Sequence, residues 1–212
     1  MRSPAQIRNV VLVGHNGSGK TSLAEALLFR AGVITRPGTI EKGSTALDND
    51  PEERERRQSV SLSLASFDWN DHRINLLDTP GYADFRGEAL LGMSAADLAV
   101  FVIDGVAGVQ SQDVVLWRHA TELGLPRIIF VNKLDRERSS FDRTLAQVRE
   151  VFGSHADPTE LPIGAESSFH GVTDVLTHHA FVYDSGQAEP VEVPAELADQ
   201  ERAEHEHLVE DV

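Results

Sequence analysis

The sequence predicts an α/β fold in which helices cover both faces of a mostly parallel sheet. Three apolar runs support this prediction, at residues 10–13, 98–103 and 128–131, and each is short and rich in β-branched residues. Gly14 follows the first run, and Asp97 and Asp104 flank the second. Strands that are buried on both faces of a parallel sheet have this continuous apolar character. Amphipathic segments lie between the runs, so strand and helix alternate along the chain. We therefore expect a three-layer sandwich with ligand loops at the carboxyl ends of its strands.

Three segments have apolar residues at helical spacing. Their apolar faces consist of Leu23 and Leu27 in the first, Leu116, Ala120 and Leu123 in the second, and Phe141, Leu145, Val148 and Phe152 in the third. Each segment is followed by a glycine, namely Gly32, Gly124 or Gly153. Glycine is favoured just after a helix because it adopts the left-handed backbone conformation without steric cost. We expect these three helices to end at those glycines.

One pair of segments has a different pattern. Residues 60–68 alternate between apolar and polar side chains, Asn70 and Asp71 supply a turn, and residues 73–77 return as a second extended run. This arrangement predicts an antiparallel hairpin at one edge of the sheet. Residues 33–58, in contrast, have no periodicity and contain a charged run at 52–57. A loop of that length in a compact domain is usually functional or disordered.

The composition changes after Phe152 to Gly, Pro, His and acidic residues, with two short candidate strands at 161–167 and 180–183. A weakly amphipathic acidic helix is expected from Pro194 to the end. We therefore expect one domain over residues 1–155. Residues 156–212 then form the beginning of a small acidic subdomain inserted into it.

The bulk composition restricts the possible partners. A chain of 212 residues with 41% hydrophobic content can bury a core, and it contains no cysteine for disulfides or thiolate metal sites. No apolar run approaches the roughly 18 residues of a membrane helix, and the N-terminus leads directly into a strand. Of the net charge of −15, residues 151–212 hold −13, with 14 acidic side chains against Arg202. We expect a cytoplasmic monomer without membrane contact or direct sequence-specific nucleic-acid contact, because nucleic-acid binding needs Lys and Arg.

A phosphate-binding motif follows the first predicted strand and opens the first predicted helix. It has the P-loop pattern G-x-x-x-x-G-K-S/T and consists of Gly14, His15, Asn16, Gly17, Ser18, Gly19, Lys20 and Thr21. The glycines let backbone N–H groups turn inward around phosphates, and the helix N-terminus adds partial positive charge. Lys20 is expected to bridge the terminal phosphates and the Thr21 hydroxyl to bind Mg²⁺. The fold class is therefore that of the P-loop NTPases.

A second motif ends the predicted hairpin, with Asp78, Thr79, Pro80 and Gly81 in sequence. The aspartate can hold Mg²⁺ through water, and the Gly81 N–H can contact a γ-phosphate because glycine lets the backbone move there. Alone, these residues would equally well form a plain Pro-Gly turn. After a P-loop, the interpretation as a phosphate sensor is favoured.

The third motif indicates which nucleotide base the site binds. Asn132, Lys133, Leu134 and Asp135 follow the last predicted strand, and an aspartate there can accept from both the ring N–H and the exocyclic amine of guanine. Adenine offers no such pair, so a site built on it rejects the wrong base by roughly 10⁴-fold. A transporter-type ATPase also fits the P-loop, but its Leu-Ser-Gly-Gly-Gln signature is absent. The three motifs together predict GTP and GDP with Mg²⁺ as the ligands.

At these motifs the chain resembles the G domain of translational GTPases, and in particular elongation factor G and its bacterial elongation-factor-G-like paralogues. The matching stretches are residues 78–85, 132–136, 161–166 and 171–174. The last of them leads into a small insert that elongation factor G carries in its G domain. The resemblance implies a GTPase that works in translation with the ribosome as partner. It also implies that the acidic helix at 194–212 can face the ribosomal stalk protein, although the sequence alone favours a solvated helix face as the explanation of its charge.

The same resemblance assigns further residues. Residues 33–59 correspond to switch I, with Ser59 in place of a Mg²⁺-binding threonine, so that Thr21, Ser59 and Asp78 are the expected metal residues. Lys20 and Gly81 are expected to act in catalysis, with Tyr82 in place of a histidine that orients the attacking water. Gly17 stands in place of an aspartate.

A phenol is no base at neutral pH, but phosphoryl transfer depends mainly on positioning and electrostatics. Hydrolysis is therefore expected to be slowed without being abolished. The alternative is a nucleotide-binding module, or an inactive fragment, that hydrolyses nothing. By resemblance, a final G-domain strand and the ribosome-binding domains are absent from the chain, which looks like the front part of a longer factor.

Two histidine groups and the serines suggest no further chemistry. His178 and His179 would point to opposite faces of a strand, and His205 and His207 diverge on a helix, so neither pair can share one ion. We expect solvated histidines. No G-x-S-x-G nucleophile elbow is present for a hydrolase triad.

Overall fold

A computed structural model describes residues 2–39, 43–47, 59–154, 156–184 and 187–210. The chain divides into two compact units. The first, which we call the α/β unit, consists of Met1–Asp104 and Gln110–Asn132, and the second, the C-terminal unit, consists of Gly105–Val109 and Lys133–Val212. The domain boundary expected after residue 155 stays a prediction.

The α/β unit contains a five-stranded sheet in the order β2-β3-β1-β4-β5. Its strands are β1 (Ile7–Val13), β2 (Ser63–Trp69), β3 (His72–Asp78), β4 (Leu98–Asp104) and β5 (Arg127–Asn132). All neighbouring pairs are parallel except β2 with β3. The predicted mostly parallel α/β fold with one antiparallel edge strand is confirmed.

Helices cover both faces of this sheet because its central strands are apolar on both faces. The helices are α1 (Lys20–Arg30), α2 (Arg86–Ser94) and α3 (Ser111–Leu123). Val11 and Val13 pack in a cluster with Phe101 and Leu116, whereas the intervening Leu12 packs in a second cluster with Leu28. Alternate residues of β1 thus enter two separate cores, as the period of a strand requires.

The β2–β3 hairpin turns at Asn70 and Asp71, which have φ angles of 44° and 64°. Two consecutive positive φ angles define the turn type that matches the twist of a two-residue hairpin, and Asn and Asp tolerate them better than most side chains. Trp69 pairs with His72 directly across the turn. β3 then pairs with β1, so the hairpin carries Asp78 to the carboxyl edge of the parallel strands.

Helix α2 was not predicted. Its sequence contains Gly87 and Gly92, which are poor helix formers. The helix is stabilised by packing, since Ala89, Gly92 and Met93 are buried. A side chain at Gly92 would lie 3.1 Å from Val11 and 3.2 Å from Leu62, so the glycine allows close approach of helix and sheet.

The C-terminal unit contains α4 (Phe141–Phe152), a four-stranded antiparallel sheet and α5 (Ala198–Glu210). The strands lie in chain order and are β6 (Glu160–Ile163), β7 (Gly171–Asp174), β8 (His179–Asp184) and β9 (Gln187–Val191). Of these four strands, the sequence predicted only β6 and β8. Strand β6 ends four residues earlier than predicted, and Glu166–Ser168 form a 3₁₀ turn after it. The acidic helix begins at Ala198, four residues after the expected start.

Two of the three glycines expected after helices adopt the left-handed conformation. Gly32 has a φ of 74° after α1, and Gly124 a φ of 61° after α3. Gly153 after α4 has φ 122° and ψ 151°, which is a different region that also favours glycine. Among the described residues, no helix is long and apolar enough to cross a membrane.

Candidate functional site

The P-loop residues connect β1 to α1, and their glycines are required by the backbone and by space. Gly14, Gly17 and Gly19 have φ angles of 147°, 75° and 101°. A side-chain carbon at Gly14 would lie 2.4 Å from the Val102 carbonyl oxygen, and one at Gly19 would lie 2.2 Å from the Asn132 amide nitrogen. Space around Gly17 is open, so only its backbone angle restricts that position.

Lys20 is buried within this loop, with 5% of its surface exposed. Its ammonium donates hydrogen bonds to the carbonyl oxygens of Gly14 and His15 at 3.1 and 3.0 Å. Burial lowers the pKa of Lys20 from its ordinary value of 10.5, and the charges of Asp78 and Asp113 act in the opposite direction. The loop therefore holds a desolvated cation, which an anionic ligand would stabilise.

The three residues expected to bind Mg²⁺ lie together. The Thr21 hydroxyl donates to Asp78 at 2.6 Å, and the Thr21 and Ser59 hydroxyl oxygens are 3.5 Å apart. Thr79 fixes the following backbone by donating from its hydroxyl to the Leu12 carbonyl at 2.7 Å. Hard oxygen donors with a single carboxylate suit Mg²⁺, which commonly binds one or two carboxylates, waters and substrate phosphates.

Gly81 lies directly against the P-loop. A side-chain carbon at Gly81 would lie 2.6 Å from the Lys20 ammonium and 2.7 Å from the Asn16 α-carbon. No larger residue fits there without displacing the loop. Tyr82 follows, with 38% of its surface exposed, at the start of the 3₁₀ turn Ala83–Phe85.

Asn132, the first residue of the third motif, contacts the P-loop. It ends β5, and its side-chain amide donates to the Ser18 carbonyl at 2.9 Å. The remaining residues of that motif, Lys133, Leu134 and Asp135, belong to the C-terminal unit. Lys133 has a φ of 61°, and Asp135 is exposed.

Comparison with known proteins identifies the family. The model of the elongation factor Tu GTP binding domain matches residues 5–203. The chain belongs to this family. Elongation factor G of Granulibacter bethesdensis is 38% identical over 211 residues, which cover 97% of this chain and 30% of the relative. Elongation factor G of Gluconobacter oxydans is 41% identical over 183 residues, or 86% of this chain and 26% of the relative.

A solved structure agrees with these relatives. A crystal structure of a protein from Thermus thermophilus superimposes with a TM-score of 0.90 at 37% identity, over 97% of this chain and 31% of the other. The resemblance to elongation factor G is thus confirmed. This GTP-binding domain spans about 30% of the length of the first of these relatives.

Sequence reasoning missed one buried contact of this GTP-binding domain. Asp113 in the first turn of α3 is fully buried, and it accepts from the His15 backbone N–H at 2.8 Å and from the His15 ring nitrogen Nδ1 at 2.9 Å. It also accepts from the Gln110 backbone N–H at 2.8 Å. The available signal was an acidic residue three positions after the N-cap residue Gln110, which is typical of capping. Asp113 therefore fixes the first turn of the P-loop.

The predicted switch I is described only in part, because residues 40–42 and 48–58 lie outside the described residues. Glu25 of α1 is buried and accepts from the backbone N–H groups of Gly38, at 2.7 Å, and Ala46. Leu47 packs into the core beside α1. The described parts of this segment are thus attached to the helix that follows the P-loop.

The histidines expected to be solvated are only partly so. His178 contacts Glu201 at 2.6 Å, the His205 ring lies 4.3 Å from the His178 ring, and His205 bonds the Val175 carbonyl. In the part of the chain that the structure describes, no three His, Cys, Asp or Glu side chains are grouped so that they could hold a metal ion. These histidines attach α5 to the turn before β8.

We predict that nucleotide binding raises the pKa of Lys20. In the nucleotide-free protein burial holds this pKa below 10.5, whereas phosphate oxygens would favour the charged ammonium. The chain has only three lysines, so NMR titration of their Cε signals resolves Lys20 readily, with a Lys20→Arg variant for assignment. The midpoint of Lys20 should lie below 10.5 without ligand and shift upward with GDP and Mg²⁺. A midpoint at or above 10.5 in the free protein would contradict the burial argument.

Proposed function

We propose that this chain binds GTP and GDP with Mg²⁺ and hydrolyses GTP, as the G domain of an elongation-factor-G-like protein that acts on the ribosome. The observation that supports this most strongly is the meeting of Thr21, Ser59 and Asp78 beside the buried Lys20. Oxygen ligands for a divalent cation and a desolvated ammonium are the two features that a nucleoside triphosphate requires. In this proposal residues 1–155 form the G domain and residues 156–212 begin its acidic insert.

The phosphates bind the backbone N–H groups of the loop Gly14–Thr21 and the N-terminus of α1. Lys20 is already hydrogen-bonded to the loop carbonyls of Gly14 and His15, so its ammonium exchanges one partner for phosphate oxygen without entering from solvent. The hydroxyls of Thr21 and Ser59 would hold Mg²⁺, and Asp78 would contact it through water. The cation supplies neutralisation of the charge that develops on the phosphates.

The guanine base binds Asn132, Lys133, Leu134 and Asp135. The Asp135 carboxylate accepts from the ring N–H and the exocyclic amine, while Asn132 holds the loop to the Ser18 carbonyl. In this scheme Asp135 determines the base, and the other motifs determine phosphate and metal binding.

Hydrolysis depends on Gly81 and Tyr82. In this proposal the Gly81 N–H would contact the γ-phosphate, and Tyr82, which stands in place of the family's histidine, would orient the attacking water. The Tyr82 hydroxyl can orient a water molecule by hydrogen bonding, but it lacks the ring nitrogen through which a histidine accepts a proton. Tyr82 is therefore also the observation that favours the second candidate, a GTP-binding module that does not hydrolyse.

The partners follow from the family and from charge. The ribosome is the proposed partner, and the acidic helix α5 is the proposed docking surface for the ribosomal stalk protein. The first turn of α5 carries Asp199 and Glu201, and Arg202 is the single Lys or Arg among residues 151–212 of the sequence. A cytoplasmic monomer without membrane or sequence-specific nucleic-acid contact completes the proposal.

The base assignment is tested with Asp135→Asn. An amide presents a donor where the carboxylate accepted, so the variant should prefer xanthosine over guanosine nucleotides, with GDP affinity reduced by roughly 10²-fold or more. Glu137→Gln, an equivalent charge change at an exposed neighbour, is the matched control and should leave both affinities unchanged. An unaltered preference for GDP in Asp135→Asn would exclude this assignment.

The role of position 82 is tested with Tyr82→His. If only water positioning limits the reaction, the variant should accelerate single-turnover GTP hydrolysis by roughly tenfold or more, with and without ribosomes. Tyr82→Phe, which removes only the hydroxyl, should be no faster than the unaltered chain. Equal rates for His and Tyr would refute the positioning explanation and favour the module that does not hydrolyse.

A further inference from the structure

The segment around Asp135 contains two non-glycine residues with a left-handed backbone, which neighbouring contacts must support. Lys133 and Arg138 have φ angles of 61° and 65°. Such residues concentrate at ligand-binding sites, where surrounding structure fixes them. The contacts that fix this segment therefore influence where the Asp135 carboxylate is held.

Both peptide groups of Arg138 are bound by side chains from elsewhere in the C-terminal unit. Its N–H donates to the Glu166 carboxylate at 2.6 Å, and its carbonyl accepts from the Arg143 guanidinium of α4 at 2.9 Å. The next residue, Ser139, is buried and donates from its hydroxyl to the Leu134 carbonyl at 2.8 Å. A hydrogen bond within the loop therefore fixes Leu134, which precedes Asp135. Glu166 and Arg143 bind Arg138, which lies three residues after Asp135.

Glu166 lies in the turn that follows β6. It has a φ of 50°, and nearby Gly164 has a φ of 80° with a side-chain carbon there placed only 2.1 Å from the Ser168 carbonyl oxygen. Ser168 exchanges hydrogen bonds with Ala165 across the turn, at 2.9 and 3.0 Å. A half-buried carboxylate on a turn that is closed by its own hydrogen bonds has a restricted position, so it can restrict the position of its partner.

We propose that Glu166 is a positioning residue for the guanine-binding segment. This inference rests on the proposed function and adds to it a residue that supports base specificity. Glu166 does not touch the base. It fixes Arg138 through a charge-assisted hydrogen bond, and Arg138 together with Ser139 and Leu134 fixes the direction of Asp135. The antiparallel sheet, through the turn after β6, thereby supports the discrimination of guanine.

The test compares GDP with IDP, which lacks the exocyclic amine. Glu166→Ala should weaken GDP binding by about tenfold and IDP binding less, so that the preference for GDP falls. Glu166→Gln keeps an oxygen that accepts the Arg138 N–H and should retain both affinities within about twofold. Glu189→Ala, the same loss of charge at an exposed position of β9, is the matched control and should change neither. Glu166→Asp, whose shorter side chain withdraws the acceptor, replaces Glu166→Ala if that variant does not fold.

The outcomes are distinct. If the unaltered chain binds ADP as well as GDP, the proposed function fails, and this inference with it. If the chain prefers GDP but Glu166→Ala has an unchanged ratio of GDP to IDP affinity, only this inference is overturned. An equal loss for GDP and IDP that Gln does not restore would also overturn it, because that pattern indicates general destabilisation.

Discussion

The hydrogen bond from the Asn132 amide to the Ser18 carbonyl is the contact on which the arrangement of motifs depends. It joins the end of β5 to the P-loop, which follows β1, and the order of the sheet places β4 between these two strands. Parallel strands carry their carboxyl ends to one edge, so motifs 114 residues apart in sequence can meet there. A side chain at Gly19 would occupy the position of the Asn132 amide, which explains why a glycine is needed at that point.

Contacts within the α/β unit hold the P-loop in place. Asp113 binds both the backbone and the ring of His15, Lys20 binds the carbonyls of Gly14 and His15, and Gly81 approaches so closely that no side chain fits. This arrangement buries the Lys20 ammonium, and the burial lowers its pKa. Preorganisation of this kind reduces the entropy lost on binding, and the buried charge gives an anionic ligand more to stabilise.

The sequence predicted those features in which chemistry restricts residue types at fixed spacing. For this reason the sequence predicted the parallel sheet, the strand that precedes each motif, and the hairpin that carries Asp78. Helix α2 and strands β7 and β9 were not, because two glycines weaken the helical pattern and strands of four or five residues depend on pairing. Asp113 and Glu166 were missed because their partners, His15 and Arg138, lie 98 and 28 residues away. A local pattern can indicate a helix cap, as at Asp113, but it does not indicate partners that are distant in sequence.

The central claim is that one chain selects guanine through Asp135 and holds the phosphates and Mg²⁺ through Lys20, Thr21, Ser59 and Asp78. Calorimetric titration of the intact chain with GDP, GTP, ADP and ATP in the presence of Mg²⁺ tests it most directly. Guanine nucleotides should bind more tightly than adenine nucleotides by roughly 10⁴-fold, and removal of Mg²⁺ should weaken GTP binding. Adenine nucleotides that bind as tightly as guanine nucleotides, or GTP binding that is independent of Mg²⁺, would contradict the account.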